Sequence, residues 1–362
     1  MEQTSLSYTF LCLFRKERER SVLKFRRIMM KETAYNQINP LIRLKETELL
    51  SSTQYEQLLH AKDMNELKDI LKNTVYGSYM TDDFAERFEY IYSKEKGKLY
   101  EWLYEMAPEP EVITIYTSRA TFHNLKVLTK AELTNQELDY LFIEDGCYSI
   151  ETIKSAIRTR VSTELPQALM SAILEVLDYF QESNTLQAID IIYDRNFLTF
   201  QRQLAETIGD KDILAEVLAF IDLTNISIMA RGIVQGQSEN FLSTVLSSSG
   251  SISKKTYLDY TEQTLAHYTE FVLNTKYGDL FAPIVSTETK TFDLVAFEKV
   301  KDDYLTSLYE KAKIMAFGPL PLLAFLNAKE IEWKNLRLIL VSKRSHFPID
   351  VVRERMRVTD GL

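Results

Sequence analysis

Two acidic pairs are the residues whose types and spacing come closest to a catalytic site in this sequence. The segment Asp82-Asp83-Phe84-Ala85-Glu86 holds three carboxylates, and Asp302-Asp303 supplies a second pair. Carboxylates that converge from two helices can hold Mg²⁺ against a diphosphate, because this hard cation takes oxygen ligands. One alternative is therefore a Mg²⁺-dependent isoprenoid-type enzyme that uses Asp82, Asp83 and Glu86.

The second acidic pair weakens that alternative. Asp302-Asp303-Tyr304-Leu305-Thr306 lacks a third acid, and the matching part of the internal repeat described below keeps only Asp194. Acidic residues near aromatic ones also suit helix starts, because a carboxylate accepts hydrogen bonds from the first backbone N–H groups. We therefore expect these aspartates to be N-terminal caps.

Other chemical motifs are missing from the sequence. Gly97-Lys98 is followed by Leu99, so no P-loop is present, and neither HExxH nor GxSxG occurs. The histidines and cysteines are too scattered for a metal site or a disulfide framework; they are His60, His123, His267, His346, Cys12 and Cys147. The sequence predicts no catalytic residue, no cofactor and no metal.

The composition favours an all-α fold. The 362 residues include only 10 Gly and 8 Pro, while 45% are hydrophobic and 26% are charged. Sheets and Gly-rich nucleotide folds need more turn residues than this, whereas helices joined by few turns do not. The net charge of −9 repels phosphate backbones, so nucleic acid is not an expected partner.

Helical periodicity dominates the chain, with one candidate strand. Phe84, Phe88, Ile91 and Tyr92 follow helical spacing, whereas residues 111–116 resemble a strand. No apolar stretch reaches the roughly 20 residues of a membrane span, and the apolar stretch 317–326 contains two prolines. We expect no direct membrane span and, if the protein works at a membrane, a peripheral position there.

Residues 1–29 differ from the rest of the chain. They carry seven Lys and Arg against three Glu, in a chain that is acidic overall. The dipeptide Arg26-Arg27 precedes Met29 and Met30, and its codons can form a ribosome-binding sequence. We expect residues 1–29 to be a non-native or mis-assigned extension.

An internal repeat divides the remaining chain. Three segments align around an asparagine: residues 121–126 around Asn124, residues 222–227 around Asn225, and residues 332–337 around Asn335. Their spacing near 100 residues is too long for a TPR or HEAT repeat. It predicts three related helical subdomains at residues 30–135, 136–240 and 241–362.

The C-terminal segment resembles a known family. Gly318-Pro319-Leu320-Pro321 is followed by an apolar helix, by residues 329–337 (KEIEWKNLR) and by residues 353–357 (RERMR). These motifs are similar to those of the C subunit of V-type and archaeal-type ATPases, which is named d in eukaryotes. In that family the last motif usually has leucine at the position of Met356. Residues 35–43 (YNQINPLIR) also resemble the opening of that family.

The resemblance implies an architecture and a non-catalytic role. It implies three similar helical subdomains around a pseudo-threefold axis, forming a funnel. The protein would couple the shaft formed by the D and F subunits to the membrane rotor ring, within the larger V-type ATPase. It would be cytoplasmic and peripheral on the cytoplasmic face of the membrane, in an ATP-driven H⁺ or Na⁺ pump or an ATP synthase.

Four C-terminal residues are candidates for structural or partner contacts. Asn335 and Arg337 belong to one motif, while Arg353 and Arg357 are spaced to share a helix face. Cation placement at a helix C-terminus and ion pairing explain Arg353 and Arg357 at least as well as partner contacts do. For Asn335 and Arg337 a structural role is the better explanation, with the asparagine hydrogen-bonding neighbouring backbone. An all-α scaffold or adaptor unrelated to rotary pumps stays the main alternative; it predicts soluble partners and no membrane association.

Overall fold

The computed structural model describes residues 34–81, 83–84, 86–143, 146–183 and 185–358. The expected extension at residues 1–29 lies outside this part of the chain. Asp82 and Ala85 of the first acidic motif lie outside it as well.

The prediction of an all-α fold is confirmed. Within the described residues the only β-type pairing is an isolated antiparallel bridge between Val285 and Phe292. The helices are α1 Ile38–Glu46, α2 Ser52–His60, α3 Met64–Leu71, α4 Phe88–Met106, α5 Pro110–Thr134, α6 Ile150–Thr159, α7 Gln167–Ser183, α8 Leu186–Ile208, α9 Lys211–Val234, α10 Glu239–Val245, α11 Lys254–Leu258, α12 Leu265–Leu273, α13 Gly278–Phe281, α14 Leu294–Ser307, α15 Leu320–Arg344 and α16 Ile349–Arg355.

The strand expected at residues 111–116 is wrong, because this segment lies in α5. Pro110 occupies the first helical turn, where its missing N–H and fixed φ are tolerated. Val112, Ile113 and Ile115 are all buried. Burial of this apolar face outweighs the preference of β-branched residues for strands, which is weak and depends on context.

The expected aspartate caps are also wrong. Asp194 lies inside α8, Asp303 lies inside α14, and Asp83 lies in a turn before α4. The N-cap of α14 is Asp293, whose carboxylate accepts from two backbone N–H groups. Asp194 instead pairs with Lys126 at 2.6 Å. The spacing of an acid and an aromatic residue does not distinguish a helix start from a helix interior.

Three long helices each carry one asparagine of the repeat. They are α5 with Asn124, α9 with Asn225 and α15 with Asn335, and we call them the asparagine helices. They have 25, 24 and 25 residues, and most of their side chains are partly or fully buried. Helices with apolar contacts on several sides are typical of a core.

The asparagine helices share one hydrophobic cluster at their N-terminal halves. Ile113 of α5, Val217 of α9 and Leu322 of α15 belong to this cluster. The C-terminal half of α9 packs into a second cluster with α10–α14. The C-terminal half of α15 packs into a third cluster with α2–α4 and α16. The three helices therefore contribute to one shared cluster at one end and have different partners at the other.

Helix α9 is long and apolar enough to cross a membrane by length and composition alone. It is the one such helix among the described residues, and 61% of its most apolar window is buried inside the protein. Its buried side chains belong to the hydrophobic clusters described above. Buried core helices pass the same test, so this finding is weak evidence for a span.

Candidate functional site: a cavity between three matched helices

Each repeat asparagine makes the same pair of hydrogen bonds with one later backbone residue. The Asn124 amide donates to the Ile143 carbonyl at 2.6 Å and accepts from the Ile143 N–H at 2.9 Å. Asn225 does so with Ser247 at 2.8 and 3.0 Å, and Asn335 with Arg357 at 3.0 and 2.9 Å. All three asparagines are at most 1% exposed, so these contacts satisfy buried polar groups.

The residue three positions before each asparagine also accepts from a backbone N–H. Thr121 accepts from Cys147 at 3.1 Å, Asp222 accepts from Ser251 at 2.7 Å, and Glu332 accepts from Leu50 at 2.6 Å. Each donor lies one or two residues before a serine N-cap. These caps are Ser149 of α6, Ser253 of α11 and Ser51 of α2. The matched contact in the third case thus comes from the N-terminal part of the chain.

In two of the three sites a buried tyrosine also donates a hydrogen bond to the carboxylate. The Tyr277 hydroxyl donates to Asp222 at 2.8 Å, and the Tyr76 hydroxyl donates to Glu332 at 2.6 Å. Burial, and then the adjacent carboxylate, raises the pKa of each tyrosine well above its ordinary value. Thr121 stands where the other two sites have an acid.

Sequence reasoning missed these tyrosines although a signal was available. Residues 73–77 (NTVYG) and 274–278 (NTKYG) are nearly identical. In both, the threonine hydroxyl accepts from the tyrosine N–H at 3.2 Å. A Cβ on either Gly77 or Gly278 would lie within 2.2 Å of a backbone carbonyl oxygen. The shared pentapeptide therefore specifies one turn that directs a tyrosine toward an acid.

A cavity of about 100 Å³ lies between the asparagine helices. Arg119, Phe220 and Glu330 line it, and each stands five residues before its own asparagine. Equivalent positions of α5, α9 and α15 therefore face one shared space. The cavity combines a cation, an aromatic ring and an acid, rather than a set of like ligands.

Ion pairs connect each asparagine helix to one neighbouring helix. Helix α5 pairs with α8 through Lys126 and Asp194, 2.6 Å apart. Helix α9 pairs with α14 through Arg231 and Glu298 at 2.8 Å, and α15 pairs with α4 through Arg337 and Glu89, also at 2.8 Å. Exposed pairs add little stability individually, but these repeat the same helix-to-helix connection around the molecule.

Charged groups of the cavity have shifted pKa values. Burial raises the pKa of Glu216 to about 7, although a hydrogen bond from Tyr309 opposes the shift. Burial also acts to raise the pKa of Asp302, but Lys334 and Arg357 outweigh it and hold that pKa below its ordinary value. The second acidic pair is therefore held by cations of the protein. In the described residues no group of three or more His, Cys, Asp or Glu could hold a metal.

Of the four predicted site residues, the structure brings Asn335 and Arg357 into contact and leaves Arg337 and Arg353 apart from them. Asn335 is buried and hydrogen-bonded to backbone, and Arg337 is 65% exposed beside Glu89. Arg353 pairs with Glu56 of α2, while Arg357 donates to Asp302 at 3.0 Å. The expectation that Arg353 and Arg357 share a helix face is wrong. Helix α16 ends at Arg355, and the anchoring of the Arg357 backbone by Asn335 holds that residue outside it.

Comparison with known proteins gives the same family over nearly the whole described chain. The model of the ATP synthase (C/AC39) subunit family matches residues 38–355. The C subunit of the V-type sodium ATPase of Enterococcus hirae is 53% identical over 323 residues, which cover 89% of this chain and 98% of that relative.

Two archaeal relatives are more distant. The C subunit of the A-type ATP synthase of Methanocaldococcus jannaschii is 25% identical, covering 88% of this chain and 85% of the relative. The protein of the same name from Methanothermobacter thermautotrophicus is 27% identical, covering 88% and 86%. The chain therefore belongs to the ATP synthase (C/AC39) subunit family, as an accessory and non-catalytic subunit of a V/A-type ATPase complex.

Proposed function

We propose that the role of this protein is to couple the rotor shaft of the D and F subunits to the membrane rotor ring. The observation that carries the proposal is the cavity between α5, α9 and α15. Arg119, Phe220 and Glu330, which hold equivalent positions of the three helices, line it together. Three matched helices that present equivalent positions to one space suit the attachment of a shaft, because contacts can form from several sides.

The same three helices support a funnel-shaped arrangement of three related units. Their N-terminal halves share one hydrophobic cluster, whereas the C-terminal halves of α9 and α15 pack into two others. Helices that converge at one end and have separate partners at the other enclose a space that widens.

Torque transmission requires stiffness, and two features supply it. The paired hydrogen bonds of Asn124, Asn225 and Asn335 fix each asparagine helix to a segment 19 to 22 residues later. The ion pairs between neighbouring helices add lateral connections. Closely packed interiors transmit strain because they are nearly incompressible.

Of the four predicted site residues, Arg337 is the one we propose as a partner contact. Its side chain is 65% exposed on the helix that lines the cavity through Glu330. Asn335 is fully buried, so its role is to hold the backbone of Arg357. Arg353 and Arg357 connect α2 and α14 to the C-terminal segment, which is a structural role.

We also propose a transported ion for the complex and a location for the protein. The relative from Enterococcus hirae is named as part of a sodium ATPase, which favours Na⁺ over H⁺ for the complex of this chain. We place the protein on the cytoplasmic face of the membrane, as a peripheral part of the complex. Either ATP-driven transport or ATP synthesis is compatible with a coupling role.

Affinity purification of the tagged chain from mildly solubilised membranes tests the proposal. We expect the shaft and ring proteins to co-purify with the nucleotide-binding subunits. Charge reversal of Glu330→Arg at the cavity should reduce recovery of the shaft proteins. The matched control Glu182→Arg, on α7 and away from the cavity lining, should leave recovery unchanged. Recovery of soluble partners alone would support the adaptor alternative.

A further inference from the structure

A groove extends from the cavity between the asparagine helices. It has a volume of about 380 Å³ and is lined mainly by side chains of α5, α8 and α9. Arg119, Phe197 and Phe220 line both the cavity and this groove, so the two spaces meet at these side chains. We call the two spaces together the joined groove. The exposed side chain of Arg119 therefore lies at its centre.

The other charged side chains of the joined groove have partners within the chain. These contacts are Lys334 with Asp302 at 2.9 Å, Lys126 with Asp194 at 2.6 Å, Lys301 with Glu298 at 2.8 Å, Glu330 with Lys96 at 2.9 Å, and Glu216 with Tyr309. The ring of His123 contacts the Leu141 carbonyl at 2.9 Å. In the part of the chain that the structure describes, Arg119 is thus the one charged group of the joined groove without an ion pair or a hydrogen bond.

Helix α5 offers Arg119 no acid. Side chains three and four positions apart lie next to each other on a helix. At these positions around Arg119 the sequence has Ile115, Tyr116, Phe122 and His123. By contrast, Arg87 pairs with Asp83 and Arg202 pairs with Glu206 at exactly this spacing.

The other unpaired arginines of the described chain have a local explanation that Arg119 lacks. They are Arg344 and Arg355, and they lie in the last turns of α15 and α16. The helix dipole favours a cation at that end. Arg119 lies inside α5, far from either end of that helix. Neither a neighbouring acid nor the dipole therefore accounts for a cation at this position.

Positive charge predominates around Arg119. Burial lowers the pKa of Lys334 below its ordinary value, Asp302 opposes this shift, and nearby Arg119 lowers the pKa further. Asp302 also binds Arg357 at 3.0 Å, so its single negative charge is shared between two cations. Arg119 and Lys334 thus repel each other across the cavity. A cleft lined by an excess of one charge attracts a group of the opposite sign.

The joined groove is apolar beside Arg119. The rings of Phe197 and Phe220 pack edge to face with their centroids 6.3 Å apart, and both are half-buried. Leu198, Ile228 and Val245 extend this apolar lining. A small inorganic anion would leave the apolar part of the groove unused. A protein segment with a carboxylate next to an apolar side chain fits both parts.

We propose that Arg119 binds a carboxylate of the rotor shaft, while the apolar part of the joined groove holds the neighbouring side chain of the shaft. This inference rests on the proposed function, because it names the chemistry by which the same cavity recognises its occupant. A guanidinium has donors in a rigid fork that matches both oxygens of a carboxylate. Arg119 therefore fixes the orientation of the bound segment as well as attracting it.

Binding of the purified D/F pair to the full chain tests the role of Arg119. Arg119→Glu should weaken the affinity by about tenfold or more, because like charges then face each other. Arg119→Lys keeps the charge but not the fork, so we expect a smaller loss. The matched control Arg344→Glu replaces another exposed and unpaired arginine, outside the joined groove, and should leave the affinity unchanged. Thermal unfolding confirms that each variant is folded.

Charge reversal on the shaft tests the carboxylate. Exposed Asp and Glu residues of the D/F pair are replaced singly with Arg and combined with Arg119→Glu. One replacement should restore the affinity that Arg119→Glu removes and should weaken binding to the unchanged chain. Restoration by none of them would overturn the assignment of a carboxylate.

The same measurements separate this inference from the proposed function. Undiminished binding of the D/F pair to Arg119→Glu would overturn the inference and leave the proposed function intact. Absence of D/F binding to the unchanged chain would overturn the proposed function, and this inference with it.

Discussion

The Asp222 site and the Glu332 site use the same groups to hold different parts of the chain. In each, a buried carboxylate accepts from a backbone N–H and from the hydroxyl of a tyrosine that precedes a glycine. Asp222 joins residues 29 apart, whereas Glu332 joins residues 282 apart. The Glu332 site also contains buried Lys329, while the cation beside Asp222 is Lys276, which is 53% exposed.

This difference shows that the same local hydrogen-bond geometry can have different consequences for the whole fold. A carboxylate that accepts from a backbone N–H and a tyrosine hydroxyl organises a turn between nearby residues at Asp222, whereas at Glu332 it joins the N-terminal and C-terminal parts of the chain. A long closed loop loses more conformational entropy on formation than a short one, although the dependence on length is weak. The main energetic difference therefore comes from the burial of the Lys329 charge.

The largest expected effect is that of Glu332→Ala. The change leaves the Lys329 ammonium buried without its partner, which typically costs about 3–5 kcal/mol. Asp222→Ala leaves only neutral donors and a solvated lysine, so we expect about 2–3 kcal/mol. Urea unfolding at pH 7 measures both. A larger loss for Asp222→Ala would contradict the account.

Replacement of the repeat asparagines comes next. Asn225→Ala leaves the N–H and the carbonyl of Ser247 without partners, and we expect a loss of about 2 kcal/mol. Asn335→Ala should cost about as much if the two positions are equivalent. The control Asn240→Ala removes an exposed amide on α10 and should cost under about 0.5 kcal/mol. Thermal unfolding of the unchanged protein and the three variants measures these losses. A loss for only one of the two repeat asparagines would contradict the equivalence of their positions.

Gly77→Ala and Gly278→Ala should each lower the free energy of unfolding by about 1–2 kcal/mol. A Cβ at Gly77 would lie 2.2 Å from the Lys72 carbonyl oxygen, and one at Gly278 would lie 2.0 Å from that of Leu273. Gly97, inside α4, has nothing within 4 Å of a Cβ. Gly97→Ala should therefore stabilise the protein by about 0.5–1 kcal/mol. We expect the denaturant midpoint to fall for Gly77→Ala and Gly278→Ala and to rise for Gly97→Ala.

The pH-dependent effect concerns Glu216 in the cavity. Its folded pKa of about 7 exceeds the unfolded value of about 4.3, so the folded state binds the extra proton between these pH values. The contribution of Glu216 to stability therefore falls as the pH rises from about 4.3 to about 7. Glu216→Gln should remove this slope, so the variant should gain stability relative to the unchanged protein as the pH rises from 4 to 8. The gain should be smaller than the roughly 3.7 kcal/mol that the full difference in pKa would give, because Glu216 is partly exposed to solvent. Parallel stability curves for the two proteins would refute the assignment.

Patterns along the chain predicted the fold class and the three asparagines, because periodicity and repeats are local properties. The tyrosines at positions 76 and 277 were also available from the shared NTxYG segment. The pairing of Leu50 with Glu332 was not predictable, because no local pattern relates residues 282 apart. The aspartate caps failed for the opposite reason: a local pattern fits both a helix start and a helix interior.

The shared cavity was beyond sequence reasoning as well. Arg119, Phe220 and Glu330 stand at equivalent positions but have unrelated side chains, so alignment of the repeats gives them no common signature. Only their convergence in space identifies them as a set. The three repeats share the position of these residues but not the type of side chain.

Site-specific photo-cross-linking in the assembled complex tests the central claim most directly. Phe220, in the cavity, is replaced with p-benzoylphenylalanine, and Tyr179 on α7, which is 46% exposed, serves as the control position. The account predicts a cross-link from position 220 to a shaft protein and none from position 179. A complex that assembles but cross-links position 220 to neither shaft protein would contradict the placement of the shaft among the three asparagine helices.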